Sequence, residues 1–212
     1  MLREGWIRRA GTAALLGGAL YFCAFGVAYL IYGVFEEQAK GTFFGQHAFI
    51  HMVDAPMFAL LALGAVGVFL RQKDRLGKLG KAGFYTTLAG FGLSVLGGLA
   101  VIAVGLAVSD EATLGVLDVI AHPLAHLLYA VGSLVFGIAT YRAGILPRGG
   151  ALLAGVGPIW LFALFNLGFG GGQSFVVVFV PVVVTGLGWM WLGYALLSQR
   201  MGTVAEPRPA AR

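Results

Sequence analysis

Charge is scarce in this chain: only 11% of its 212 residues are charged, while 59% are hydrophobic. A soluble domain carries about 25% charged residues, so an ordinary water-exposed surface is excluded. Cysteine is nearly absent. The one copy, Cys23, lies inside the first apolar run, which excludes an intrachain disulfide and leaves a small packing residue as its expected role. Alternation of apolar and polar residues is also missing, which argues against the strands of a membrane barrel. No serine–histidine–aspartate hydrolase signature is present. The glycine run Gly170-Gly171-Gly172 follows no strand and reads as a turn, so a phosphate cradle is excluded. The net charge of +5 is dispersed and carries no binding motif, so no nucleic-acid partner is expected.

What the chain does contain is long apolar segments. A helix needs roughly 20 apolar residues to span a bilayer, and six segments come near that length: about 12–34, 47–70, 83–108, 114–140, 150–168 and 174–198. The sequence therefore predicts an all-α integral membrane protein, with a six-helix transmembrane domain over residues 1–203 and a disordered tail over 204–212, where Pro207 and Pro209 lie. The first segment follows Arg3, Arg8 and Arg9, as a signal peptide would. Its apolar run of about 23 residues exceeds the usual 7–15 and no small-x-small site closes it, so it is read as an uncleaved helix. The lipid bilayer is the expected partner, and a homo-oligomer is compatible with these features. The 34 glycines suit close helix packing, and Gly90, Ser94 and Gly98 form a small-residue stripe on the third segment.

Charge placement gives orientation. Arg3, Arg8 and Arg9 precede helix 1; Arg71, Lys73, Arg75, Lys78 and Lys81 lie between helices 2 and 3; Arg142 and Arg148 lie between helices 4 and 5; Arg200, Arg208 and Arg212 follow helix 6. Only Lys40 falls on the other side. The positive-inside rule then predicts both termini in the cytoplasm. The basic loops also divide the chain into three helical hairpins with matching landmarks. His51 lies 20 residues before Arg71 and His122 lies 20 before Arg142, which makes them the equivalent pair if the hairpins are repeats.

All four histidines fall in two i, i+4 pairs, His47/His51 and His122/His126. On a helix, His47, His51 and Asp54 share one face, and Asp118, His122 and His126 fall within about 80°, with Tyr129 and Ser133 continuing the stripe. Such a polar stripe should face a bundle interior or water rather than lipid. Proline raises the question of where these helices begin. A helix 2 starting at Ala55 would span only about 24 Å, so a start near His47 with a kink at Pro56 is expected. Helix 4 could begin at Pro123, which would leave Asp118 in a loop, or earlier.

Three readings follow. In the leading one, His47, His51, His122 and His126, with Asp54 and Asp118, bind one divalent transition metal (Zn, Cu or Fe) near the outer leaflet, for hydrolysis or redox chemistry, with Tyr129 and Ser133 lining the cavity. The helix N-terminal position favours neutral imidazole, the metal-binding form. In the second, no cofactor is bound, and the histidines relay protons, sense pH or line the path of a channel or transporter subunit. In the third, His51 and His122 clamp a single haem b.

The segment Tyr141-Arg142-Ala143-Gly144-Ile145-Leu146-Pro147-Arg148-Gly149-Gly150 resembles an inter-helix loop of small bacterial polytopic membrane proteins. That resemblance covers about ten residues, implies a bacterial plasma (inner) membrane setting and implies no activity. The paired His-x-x-x-His is also similar to that of membrane metal hydrolases of the progestin/adiponectin-receptor and ceramidase kind. Their seven-helix ligand pattern has no counterpart here, and no residues are carried over.

Overall fold

The computed structural model describes the backbone of residues 2–39, 48–107, 111–166 and 175–198, and the side chains of 4–23, 52–104, 122–163 and 179–198. Six helices account for nearly all of this: α1 (Leu2–Ala39), α2 (Ala48–Gln72), α3 (Lys78–Ala107), α4 (Glu111–Ala143), α5 (Arg148–Asn166) and α6 (Phe175–Ser198). No strand occurs among the described residues. The expected tail at 204–212 lies outside them. Four helical stretches are long and apolar enough to cross a membrane: Met52–Gln72, Lys78–Val104, His122–Ala143 and Phe179–Ser198.

Both proline questions resolve toward longer helices. Pro56 lies inside α2, and α4 runs through Pro123. Asp118 is therefore on a helix, not in a loop. A proline removes one backbone hydrogen bond and clashes with the preceding turn. In an apolar bundle the alternative, irregular backbone facing hydrocarbon, is worse.

Each helix packs antiparallel against the next, and α6 returns to α1, closing a ring that α2 and α6 touch across. Glycine sets how close the helices come. Between lipid-facing helices there is no hydrophobic driving force, so association rests on close contact. At the α3–α4 seam, a Cβ on Gly90 would run into the backbone of Tyr129, and one on Gly132 into the backbone of Thr87. The small-residue stripe expected on the third helix thus does face a partner. Its hydroxyls are satisfied within α3: Ser94 Oγ donates to the Gly90 carbonyl at 3.0 Å, and Thr87 Oγ1 to the Gly83 carbonyl at 2.8 Å.

The bundle has one basic end. There Arg8, Arg9, Arg75, Lys78, Lys81, Arg142 and Arg148 are all exposed. Trp6, Tyr85, Tyr141, Trp191 and Tyr194 lie outward within about two turns of the same end, each at least 39% exposed, as an interfacial aromatic belt would. Farther along, the outward faces are apolar: Leu93, Leu96, Leu99, Leu124 and Leu187. Inward, the order reverses, and Asp54, Ser133, Thr140 and Thr185 are buried.

The loop from α4 to α5 shows why the Gly-x-Leu-Pro-Arg stretch turns so tightly. Gly144 takes φ +66°, where a side chain is strained, and its N–H donates to the Thr140 carbonyl at 3.3 Å, capping α4. Leu146 is buried, and Pro147 leads into α5, where a proline is tolerated. The Arg148 guanidinium lies 5.4 Å from the centre of the Tyr141 ring.

One expectation is overturned. Cys23 is exposed on α1 rather than packed in the core. Tyr21 takes the inward position, and two residues on is about 200° around the helix, so Cys23 points away.

Candidate functional site

The middle of the ring is filled by aromatic side chains. Phe58 of α2, Phe91 of α3, Tyr129 of α4 and Trp189 of α6 meet there, with ring centres 4.8 Å apart for Phe91–Tyr129, 5.9 Å for Phe58–Tyr129 and 6.0 Å for Phe91–Trp189. Pairs at these separations contribute about 0.5–1.5 kcal/mol beyond burial. Of these, Tyr129 also lines a small cavity.

Around the aromatic centre lies a connected series of polar groups. The Tyr21 hydroxyl lies beside those of Tyr129 and Thr185, within the field of Asp54. The Tyr129 hydroxyl also approaches the Trp189 indole nitrogen. Toward the basic end, Trp189, Ser133 and Thr140 line a small cavity of about 10 Å³. Thr140 Oγ1 then accepts a hydrogen bond from Gln72 Nε2 at 2.6 Å, at the last residue of α2. In the other direction, Tyr21, Phe58, His126 and Tyr129 line a cavity of about 40 Å³, together with Pro158, Leu161 and Phe162. The half-buried His126 is followed one turn farther by His122, with ring centres 5.4 Å apart at an interplanar angle of 61°.

The Tyr129 hydroxyl, Ser133 hydroxyl, Trp189 Nε1 and Gln72 Oε1 close no hydrogen bond of standard geometry among the described residues, although all four are buried. Each such group costs about 1–3 kcal/mol if left dry. A water needs roughly 10–15 Å³ of accessible space and two to four polar partners. The larger cavity exceeds this size and is lined by Tyr129; the smaller is at its lower limit and is lined by Ser133 and Trp189; Gln72 lines neither. Asp54 is the one buried carboxylate among the described side chains, 6% exposed.

The sequence-derived site residues distribute as follows. Asp54, Tyr129 and Ser133 are buried in the interior, and His122 and His126 stand side by side on α4. His47 lies outside the described residues, as do the side chains of His51 on α2 and Asp118 on α4. Among the described residues, no three histidine, cysteine, aspartate or glutamate side chains are grouped to hold a metal ion.

Sequence reasoning missed Tyr21, Thr185 and the Gln72–Thr140 pair. Their signal was faint: single polar residues in otherwise apolar helices, without periodic company. Trp160 and Trp191 are about half exposed, like interface anchors, whereas Trp189 is 2% exposed and belongs to the interior series.

No protein-family model matches the chain, and no curated protein or solved structure matches it.

Proposed function

We propose that this chain is a six-span membrane protein that moves protons through its own interior, as a channel. We place it in a bacterial plasma membrane with both termini in the cytoplasm, because the basic end and its aromatic belt then meet the inner face. The observation that carries the reading is the set of polar side chains at the two interior cavities: Tyr21, Tyr129 and His126 at one, with Asp54 near Tyr21 and His122 beside His126, and Trp189, Ser133 and Thr140 at the other, with Gln72 bonded to Thr140. Protons cross low-dielectric interiors along chains of hydroxyls, carboxylates, imidazoles and water. An ionisable group at membrane depth is costly and marks such paths by default. Orphaned polar atoms beside water-sized cavities are what such a chain needs. A purely structural core would satisfy these atoms internally, as α3 does for Ser94 and Thr87.

In this reading Asp54 is the proton-holding site and Tyr21 and Tyr129 pass the proton beside the aromatic centre. The histidines, whose ordinary pKa lies near 6.5, load the path at the end away from the basic loops. The test is proton flux into proteoliposomes under an imposed potential. Wild-type protein should acidify the lumen and Asp54→Asn should not. Equal flux in both defeats the reading.

The adjacent imidazoles of His122 and His126 keep a second reading in view, in which the same end binds one Zn, Cu or Fe ion with help from the first histidine pair. Metal analysis of detergent-purified protein separates the two. Stoichiometric metal that is lost in His122→Ala/His126→Ala favours this alternative.

A further inference from the structure

The α3–α4 seam opens at the basic end into a surface groove of about 560 Å³. Its polar wall carries Arg75, Lys78 and Arg142, and no carboxylate lines it. Its other wall is apolar, formed by Leu79, Val135 and Ile138, with Leu79 75% exposed. The groove sits at the level where two membrane-length stretches end, since Lys78 opens one of them and Ala143 closes the other. Cations therefore lie at the height of lipid headgroups, and the apolar wall runs one to two turns deeper, alongside the bilayer interior.

We infer that this groove binds one anionic phospholipid of the adjoining leaflet, its phosphate between Arg75, Lys78 and Arg142 and one acyl chain along Val135 and Ile138. A basic pocket between membrane helices on the cytoplasmic side is suited to anionic headgroups, and arginine offers the forked donors that phosphate accepts. A soluble anion would use the cations alone and leave the apolar wall facing lipid. A second protein is a poorer fit, because the apolar wall leads through the exposed Ile138 to the outward-facing Val131 of the same helix. The inference is independent of proton movement and takes the basic end to be the cytoplasmic one.

The experiment uses the full chain in micelles holding equimolar phosphatidylglycerol and phosphatidylcholine, with retained lipid read by native mass spectrometry. Wild-type protein is expected to keep one phosphatidylglycerol per chain in preference to phosphatidylcholine. Each cation removed among Arg75→Gln, Lys78→Gln and Arg142→Gln should weaken that preference about fivefold. The control Arg8→Gln/Arg9→Gln/Lys81→Gln, at cations outside the groove, should leave it intact. Ile138→Trp, which fills the apolar wall and spares the charges, should also release the lipid. Equal loss in the groove and control triples means a diffuse surface potential and overturns the site. Displacement of the lipid by inorganic phosphate, or retention by Ile138→Trp, means a soluble-anion site and overturns the lipid. Absence of any preference in the wild type overturns it outright.

Discussion

The α3–α4 seam and the interior polar series are built from the same short list of residues to opposite ends. Along the seam, glycines bring backbones together and each hydroxyl donates to its own helix, so little is left unpaired. In the interior, the side chains of Tyr129, Ser133 and Trp189 are equally buried beside small cavities yet close no hydrogen bond of standard geometry among the described residues. Tyr129 belongs to both regions: its backbone meets Gly90 at the seam, while its hydroxyl joins the interior series. The contrast separates what holds the bundle together from what gives it something to do. Substitutions at the seam should damage stability, and substitutions in the interior should damage transport.

The largest stability effect is expected at the seam. Gly132→Leu forces a side chain into the Thr87 backbone, and overpacking of this kind costs about 3 kcal/mol. Thermal unfolding in detergent should show a large drop in Tm, or failure to assemble. Thr140→Val should cost less, about 1 kcal/mol, because it strips Gln72 Nε2 of its acceptor inside the bundle. Gly144→Ala should cost a similar amount, about 1 kcal/mol, through the left-handed backbone at the end of α4, and should leave proton flux unchanged. The smallest effect should come from Tyr129→Phe. Its hydroxyl closes no hydrogen bond of standard geometry among the described residues, so the fold should hold within about 0.5 kcal/mol while flux falls. A Tyr129→Phe protein that melts as badly as Gly132→Leu would erase the distinction between the two regions.

How much of this was readable from the chain follows from the same contrast. Long apolar runs and basic loops predict the helices well, because membrane helices need length and hydrophobicity and little else. Each of the six expected segments overlaps one helix, and four of these helices carry a stretch long and apolar enough to cross a membrane. The seam was half readable: the Gly90–Ser94 stripe named one face, whereas its partner Gly132 carried no periodic mark. The interior was readable only where ionisable residues and the stripe they begin flagged it, at Asp54, His126, Tyr129 and Ser133. Tyr21 and Thr185 are inward because of helix rotation in a closed ring, and the phase of a helix that is apolar all round is not written in its pattern. The same ambiguity hid the outward turn of Cys23.

The most direct measurement is voltage-driven proton uptake by proteoliposomes containing wild type, Asp54→Asn or Tyr129→Phe, each first shown to unfold at a similar temperature. The account predicts clear uptake for the wild type and a loss of about tenfold or more in both variants, in line with removing a positioned proton-transfer group. Wild-type uptake no faster than protein-free vesicles, or full uptake in Asp54→Asn, would contradict it.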